Sequence, residues 1–207
     1  MRLAAITASV LLAAASQAGA QDAPPALEAQ RLLQGAADPG DLADLSAGGL
    51  ISLRHKPSGL ICQFGSDPRG NTLHASPAGL ICETASDTEI DTLEAFRVTP
   101  ASEEELEGAV NRALGQFRGG QPVSGFTDAN SDRSNAPKHV SRRYVAVTRS
   151  GDRLFVRIAY SQVGEWFVLQ RVISTPGAGQ LADADGERRL LAAIGQVMDR
   201  AAQGASR

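Results

Sequence analysis

Aromatic residues and cysteines are scarce in this chain of 207 residues, which has nine aromatic side chains and two cysteines. So few rings argue against a platform that stacks nucleotide bases or sugars. The formal net charge is −3, too small to favour nucleic acid or an anionic membrane surface. After residue 20 no apolar run is long enough to span a bilayer. We therefore expect no nucleic-acid partner and no integral membrane span in the mature chain.

Signature motifs of the common enzyme classes are also absent from the sequence. There is no G-x-S-x-G elbow, no H-E-x-x-H pair, no Walker loop, no dinucleotide fingerprint and no C-x-x-C redox pair. An enzyme needs a nucleophile or base with an orienting partner, and none stands out. We assign no catalytic residue, no cofactor and no resident metal, and we favour a protein that is not an enzyme.

The first 20 residues have the pattern of a secretory signal. Met1-Arg2 is a positive start, residues 3–15 are apolar or small, and Ala18-Gly19-Ala20 offers small residues at both positions read by signal peptidase. The alternative is a membrane anchor, but the apolar run is too short to span a bilayer and no lipid-accepting cysteine lies nearby. We predict cleavage after Ala20 and a periplasmic or secreted protein.

The rest of the chain predicts a lead-in and one domain. Residues 21–40 form a helical or flexible lead-in, and residues 41–203 form a single α+β domain. Short strands come first, followed by a central helix from Pro100 to Phe117, in which the apolar residues fall on one face. A polar loop, Gln121 to Lys138, precedes a segment with a period of two.

That segment predicts a three-strand antiparallel meander. Leu154, Val156, Ile158 and Tyr160 share one face, and tight turns lie on either side of their strand. A closing helix follows Asp185. Because the strands are grouped rather than alternating with helices, we predict an α+β fold. Its antiparallel sheet combines early hairpin strands with the C-terminal meander, packed by the central and C-terminal helices.

This order of elements resembles the PsbP-like secreted α/β domains. The resemblance rests on the helix from Pro100 to Phe117, the RYVAVTRSGDRLFVRIAY…GEWFVLQRV meander and the helix from Glu187 to Ala201. The chain is also similar to uncharacterised secreted bacterial proteins that carry an H-x-P-S-G-x-x-C phrase. Neither resemblance implies an activity, because a fold does not determine a function.

One phrase occurs twice, as HKPSGLIC at His55–Cys62 and HASPAGLIC at His74–Cys82. Each copy predicts a turn that leads into a short strand, since proline fixes φ and glycine permits unusual dihedral angles. We predict that the chain folds back between the copies, so that the two cysteine strands lie side by side in one hairpin. In an exported protein we expect Cys62 and Cys82 to form a disulfide.

A metal site is the alternative interpretation of this segment. The two cysteines with His55 and His74 form the set of ligands that tetrahedral zinc prefers. Their spacing is wider than in structural zinc sites, and an oxidising compartment removes the thiolates. The disulfide is therefore favoured.

Three further patterns suggest sites. A basic cluster at a strand entry could hold an anion, although an ordinary solvated strand end is favoured; its members are Lys138, His139, Arg142 and Arg143. Residues 128–139 begin like a calcium loop but lack its glycine and its final glutamate, so we favour an ordinary solvated loop. Tyr160 and Trp166 flank a turn and could form a ligand-binding rim, although packing on the sheet is favoured.

Two functions remain open. The favoured one is a non-enzymatic interaction or binding module for a protein or small molecule in the periplasm, with the hairpin turns and the Gln121–Lys138 loop as its contact surface. The alternative is a hydrolase or small-ligand enzyme that uses His55 or His74 as a base, oriented by Asp67 or Glu83. These two histidines would have to share one pocket with a carboxylate.

Overall fold

A computed structural model describes residues 25–65, 67–98, 118–122, 139–148 and 150–205, together with Glu104 and Gly108, which are both helical. The helices with described bounds are α1, Pro25–Gly35, and α2, Gly179–Ala205. The strands in chain order are β1 Leu42–Asp44, β2 Ile51–His55, β3 Ile61–Phe64, β4 Asn71–Ser76, β5 Gly79–Ala85, β6 Glu89–Arg97, β7 Arg118–Pro122, β8 Val140–Val147, β9 Arg153–Val163 and β10 Trp166–Ser174. Short 3-10 turns cover Pro39–Asp41, Pro68–Gly70 and Pro176–Ala178.

Seven strands form one antiparallel sheet, in the order β4-β5-β6-β10-β9-β8-β7. Within it, β8, β9 and β10 are the C-terminal meander that the sequence predicts. Its turns contain Gly151 and Gly164 at positive φ, which glycine adopts without a steric cost. Helix α2 packs on β9 and β10 of this sheet, so the predicted α+β class is confirmed.

Strands β1, β2 and β3 form a separate three-stranded antiparallel sheet. The first copy of the doubled phrase is the hairpin of β2 and β3, where Leu53 lies opposite Cys62. The second copy is the hairpin of β4 and β5, where Leu73 lies opposite Cys82. The prediction that the two cysteine strands are neighbours in one hairpin is therefore wrong, because each Pro-x-Gly turn closes its own hairpin.

A disulfide joins Cys62 and Cys82, as the sequence predicts, and their Cα atoms lie 6.0 Å apart. Because β3 and β5 belong to different sheets, the bond holds the two hairpins together across the core. Both cysteines are buried. The doubled phrase thus produces two equivalent hairpins with a covalent link between their second strands.

The small sheet and α2 share one hydrophobic core on the same face of the large sheet. This core contains Leu53 and Leu60 from the β2–β3 hairpin, Leu80 from β5, and Leu190 and Ile194 from α2, all at 1% exposure or less. Helix α2 begins at Gly179, earlier than predicted, and buried carboxylates precede the apolar stripe that begins at Leu190. The inward carboxylates are Asp183 and Glu187.

Helix α1, in the predicted lead-in, packs on this same core. Ala29 and Leu32 are buried against it. Arg31 donates to both oxygens of Glu28 at 2.6 Å, and it also donates to the carbonyl oxygen of Asn71 on β4 at 3.0 Å. These bonds attach α1 to the edge strand of the large sheet.

A second apolar cluster lies on the opposite face of the large sheet and includes Val156, Ile158, Tyr160 and Phe167. These are the alternating β9 residues that the sequence pattern identifies. The predicted central helix, Pro100 to Phe117, falls outside the described residues except for helical Glu104 and Gly108. Among the described helices, none combines the length and hydrophobicity needed to cross a bilayer.

Candidate functional site

His55 is buried at the end of β2 and forms a structural link between the hairpins. Its Nδ1 lies 2.9 Å from the Ser58 hydroxyl, and its Nε2 lies 3.2 Å from the carbonyl oxygen of Ser76 on β4. The ring meets Trp166 edge-on, with centroids 5.8 Å apart. Burial lowers the pKa of His55. The neutral imidazole contacts a neutral oxygen through each of its nitrogens. It thereby positions the Pro57–Gly59 turn of the first hairpin against β4.

His74 lies elsewhere. It is exposed on β4, whereas its neighbours Leu73 and Ala75 are buried on the other face. The two histidines therefore share no pocket, and the cysteines between them form a disulfide. The metal-site interpretation of His55, His74 and the cysteines is wrong. In the described part of the chain no cluster of histidine, cysteine and carboxylate side chains could hold a metal ion.

The two carboxylates considered as orienting groups contact other partners. Asp67 begins the Pro68–Gly70 turn, where its Oδ1 accepts the Arg69 backbone N–H at 3.0 Å. Hydrogen bonds from the Arg69 side chain and backbone lower the pKa of Asp67. Glu83 accepts the Thr92 hydroxyl at 3.0 Å. Among the described hydrogen bonds of His55, none involves either carboxylate.

Two members of the candidate anion patch face the protein interior. His139 Nε2 lies 2.8 Å from Glu187 Oε1, and Arg143 donates from Nε to Asp183 at 2.7 Å. Both basic side chains pair with carboxylates of α2 beneath the surface. Arg142 is exposed, and Lys138 lies outside the described residues.

These pairs belong to a buried polar network between the large sheet and α2. At its centre is Arg157 on β9, which is 0% exposed and donates from Nη1 to Gln170 Oε1 at 2.6 Å and from Nη2 to Glu187. Gln170 then donates to Asp91 on β6 at 3.0 Å. The network extends from His139, the residue before β8, to Asp91 on β6.

Burial and the neighbouring charges shift the carboxyl pKa values at the two ends of the network in opposite directions. Burial alone would raise the pKa of Glu187, but the hydrogen bond from His139 and the charge of Arg157 lower it to about 2. Burial raises the pKa of Asp91 to about 6, although Arg189 and Gln170 oppose the shift. Asp91 is the member of the network that reaches a surface cleft.

We call the cleft between β3 and α2 the trough. Its middle part has a volume of about 400 Å³. The floor consists of the Cys62–Cys82 disulfide with Thr84, Asp91 and Leu93 of the large sheet. One side is Ile61 and Gln63 of β3; the other is the α2 segment from Asp185 to Gln196.

The trough continues beyond its middle part in both directions. At one end a cavity of about 450 Å³ shares Ile61 and Gln196 with the middle part and adds Arg54, Lys56 and Arg200. At the other end a cavity of about 420 Å³ shares Gln63, Asp91 and Arg189 with it and adds Glu89. The trough therefore follows the whole length of β3.

Its two ends have opposite charge. Arg54, Lys56 and Arg200 outnumber Asp199 at the first end. At the second end Glu89 and Asp91 both pair with Arg189, at 2.6 Å and 2.7 Å, which leaves one net negative charge when all three are ionised. We call these the basic end and the acidic end.

Tyr160 and Trp166 are packed in the protein and form no open rim. Tyr160 stacks at a tilt on Phe167 with centroids 5.6 Å apart, and Trp166 is buried beside His55. The two rings lie in different core clusters on opposite faces of the sheet.

Comparison of the sequence with known proteins gives no family assignment. No family model matches the chain, and no curated protein matches it. The trough is therefore the feature of the molecule from which a function can be inferred.

Proposed function

We propose that the protein is exported, trimmed after Ala20 and acts as a non-enzymatic binding module, with the trough as its ligand site. The observation that carries this proposal is the open edge of β3. Within the described residues β3 pairs with β2 alone, and its other edge faces a cleft. An unpaired strand edge offers backbone donors and acceptors to a ligand.

The frame around this edge is rigid. The disulfide fixes β3 to β5 at the floor of the trough. On the other side Gln196 of α2 accepts the Ile61 N–H at 2.8 Å, and Arg200 donates to the Lys56 carbonyl oxygen at 2.9 Å. Such preorganisation reduces the entropy lost on binding. A stable scaffold around one open edge suits recognition.

The hydrolase alternative receives no geometric support. His55 is enclosed by Ser58 and Ser76 rather than by a carboxylate. The histidine–carboxylate pair of His139 and Glu187 is buried and is already part of the Arg157 network. A general base must reach the proton that it abstracts, and neither buried imidazole faces the trough.

The contact surface also differs from the one the sequence suggests. The Pro57–Gly59 turn is packed on α2, and Ser58 is fully buried. Only Gln121 and Pro122 of the Gln121–Lys138 loop lie in the described part of the chain, both in β7. We therefore propose the trough as the contact surface in place of the hairpin turns and the Gln121–Lys138 loop.

Blocking the trough tests this proposal. Ala192 is exposed and lines the trough, so Ala192→Trp should occlude it; Ala184→Trp, on an exposed face of the same helix, is the matched control. Both variants and the wild type are incubated with native periplasmic extract, and the retained proteins and small molecules are identified by mass spectrometry. We expect one set of molecules to be retained by the wild type and by Ala184→Trp and lost with Ala192→Trp. Equal retention by all three would place binding elsewhere.

Export has its own test. Intact-mass measurement of the protein from periplasmic material should give a chain that begins at Gln21. A mature chain that still begins at Met1 would contradict export with trimming.

A further inference from the structure

The backbone of β3 has its outward-pointing hydrogen-bonding groups on the trough side. His55 N–H donates to the Leu60 carbonyl oxygen at 2.9 Å, which sets the alternation along the hairpin. In an antiparallel pair every second residue bonds across and the others point away. Ile61 and Gln63 therefore point outward, and the Ile61 N–H donates to the side chain of Gln196. Gln63 is exposed, and both residues line the trough.

The length of the trough suits a short extended chain. Strand β3 itself spans roughly 10 Å from Ile61 to Phe64 at about 3.3 Å per residue, and the end cavities continue the trough beyond both residues. A peptide of about six residues in extended conformation would cover the strand and enter both end cavities. A folded domain would not reach a floor that lies between a strand and a helix, whereas one extended chain would.

The basic end of the trough is closed. Gly59 has φ +81°, and a Cβ added there would lie 2.5 Å from Arg200 Cβ. The hairpin turn and α2 therefore touch, and no chain can pass between them. A peptide in the trough has to end here, next to Arg54 and Arg200.

The charges then set the direction of the peptide. A strand added antiparallel to β3 runs from the acidic end to the basic end, since β3 runs from Ile61 to Phe64. Its C-terminal carboxylate would meet the arginine and lysine side chains, which bind carboxylates by charge-assisted hydrogen bonds. Its N-terminal half would lie near Glu89 and Asp91. A parallel strand would reverse both contacts and bring like charges together.

We propose that the trough binds the free C-terminus of an extended peptide by strand addition to β3, with the carboxylate held at Arg54, Lys56 and Arg200. This inference rests on the proposed binding function and specifies its ligand class. The backbone of Gln63 supplies the central hydrogen bonds, and the side chains of the peptide alternate between the disulfide floor and solvent.

The test uses two equimolar hexapeptide libraries, randomised at every position, one with a free C-terminal carboxylate and one with a C-terminal amide. Peptides retained by the immobilised, oxidised protein are quantified by mass spectrometry. We expect the wild type to retain acid-form peptides about tenfold better than amide-form peptides. Arg54→Glu should abolish that preference. Equal retention of the two libraries, or retention of neither, would overturn the proposal.

Strand addition is tested by a matched pair at one position. Gln63→Pro removes the outward N–H, which an edge strand tolerates, and Gln63→Ala removes the same side chain but keeps that N–H. The proline variant should lose about tenfold in peptide retention, and the alanine variant should stay within about twofold of the wild type. Equal losses would contradict strand addition.

A second measurement does not depend on the folding of the proline variant. N-methylation of a retained peptide, one residue at a time, should weaken binding at every second position, because only alternate N–H groups face β3. Uniform sensitivity would overturn strand addition. One outcome separates this inference from the proposed function. If Ala192→Trp loses ligands from the extract while the wild type retains neither peptide library, the protein is a binding module but its ligand is not a peptide C-terminus.

Discussion

Asp91 is the residue that connects the buried network with the trough. It is 7% exposed, accepts from Gln170 inside and pairs with Arg189 at the surface. The alternation of β9 predicts the apolar face correctly, but nothing in β9 itself indicates that the other face, with Arg157, is also covered. One signal was present. Asp183 and Glu187 lie at helical spacing with the buried stripe that begins at Leu190, which indicates inward carboxylates that need cationic partners.

Replacing Asp91 by asparagine should change how stability depends on pH. Because burial raises the folded-state pKa of Asp91 to about 6, the folded protein holds this proton more tightly than the unfolded chain. Asp91 therefore lowers the free energy of unfolding as the pH rises from about 4 to about 6, on the order of 2 kcal/mol. Asp91→Asn should abolish this loss. Unfolding in urea at pH values from 4 to 7 measures it.

Other titrating groups make the free energy of unfolding rise with pH, which is opposite to the effect of Asp91. The effect of Asp91 therefore has to be measured by comparing the pH profiles of variants. The lowered pKa of Glu187 stabilises the fold above about pH 4.5. The lowered pKa of His55 contributes stability that is lost as the pH falls below its ordinary value. Asp199→Asn, at an exposed position, is the control. Parallel pH profiles for the wild type and Asp91→Asn would contradict the account.

Strands in which apolar and polar residues alternate could be predicted from the sequence. The way in which the hairpins pair with one another could not. The meander was found because its tight turns are local and fix their own register. The strands of the doubled phrase were found for the same reason. The predicted pairing of β3 with β5 is not correct. A disulfide shows that Cys62 and Cys82 are close, but it does not show whether their strands lie in one sheet or face each other across two sheets. The open edge of β3 follows from this arrangement.

The turn of the first hairpin gives a sharp test of how α2 docks. Gly59 and Gly164 both have positive φ, but only Gly59 has neighbours within reach of an added Cβ. Gly164→Ala should cost about 1 kcal/mol for the backbone conformation alone. Gly59→Ala should cost about 3 kcal/mol, because the helix and the hairpin must also move apart. Equal losses of unfolding free energy would show that the contact is loose.

The disulfide stabilises the arrangement of the two hairpins. Its cysteines are 20 residues apart, and closing a loop of that size contributes about 3 kcal/mol in the chain-entropy model. The free energy of unfolding of the double variant Cys62→Ala/Cys82→Ala should be lower by this amount, so that the variant unfolds at a lower denaturant concentration. A reductant should destabilise the wild type but leave the double variant unchanged. Unchanged stability in the variant would contradict this role.

At the scale of the whole molecule, the small sheet and α2 lie side by side on the large sheet with the trough between them. The core joins all three, as Leu53, Leu80 and Ile194 share one cluster. The α+β class and the disulfide were predictable from composition, periodicity and spacing. The trough was not, since it depends on where two sheets and a helix meet rather than on any local pattern.

Amide hydrogen exchange along β3, followed by NMR in the free protein, tests the open edge most directly. Cys62 and Phe64 should exchange slowly because they bond to β2, and Ile61 should be slow because Gln196 accepts its N–H. Gln63 should exchange fast, and Gln196→Ala should make Ile61 fast as well. If Gln63 exchanges as slowly as Cys62 in the free protein, the edge is not open and the trough is not a site for strand addition.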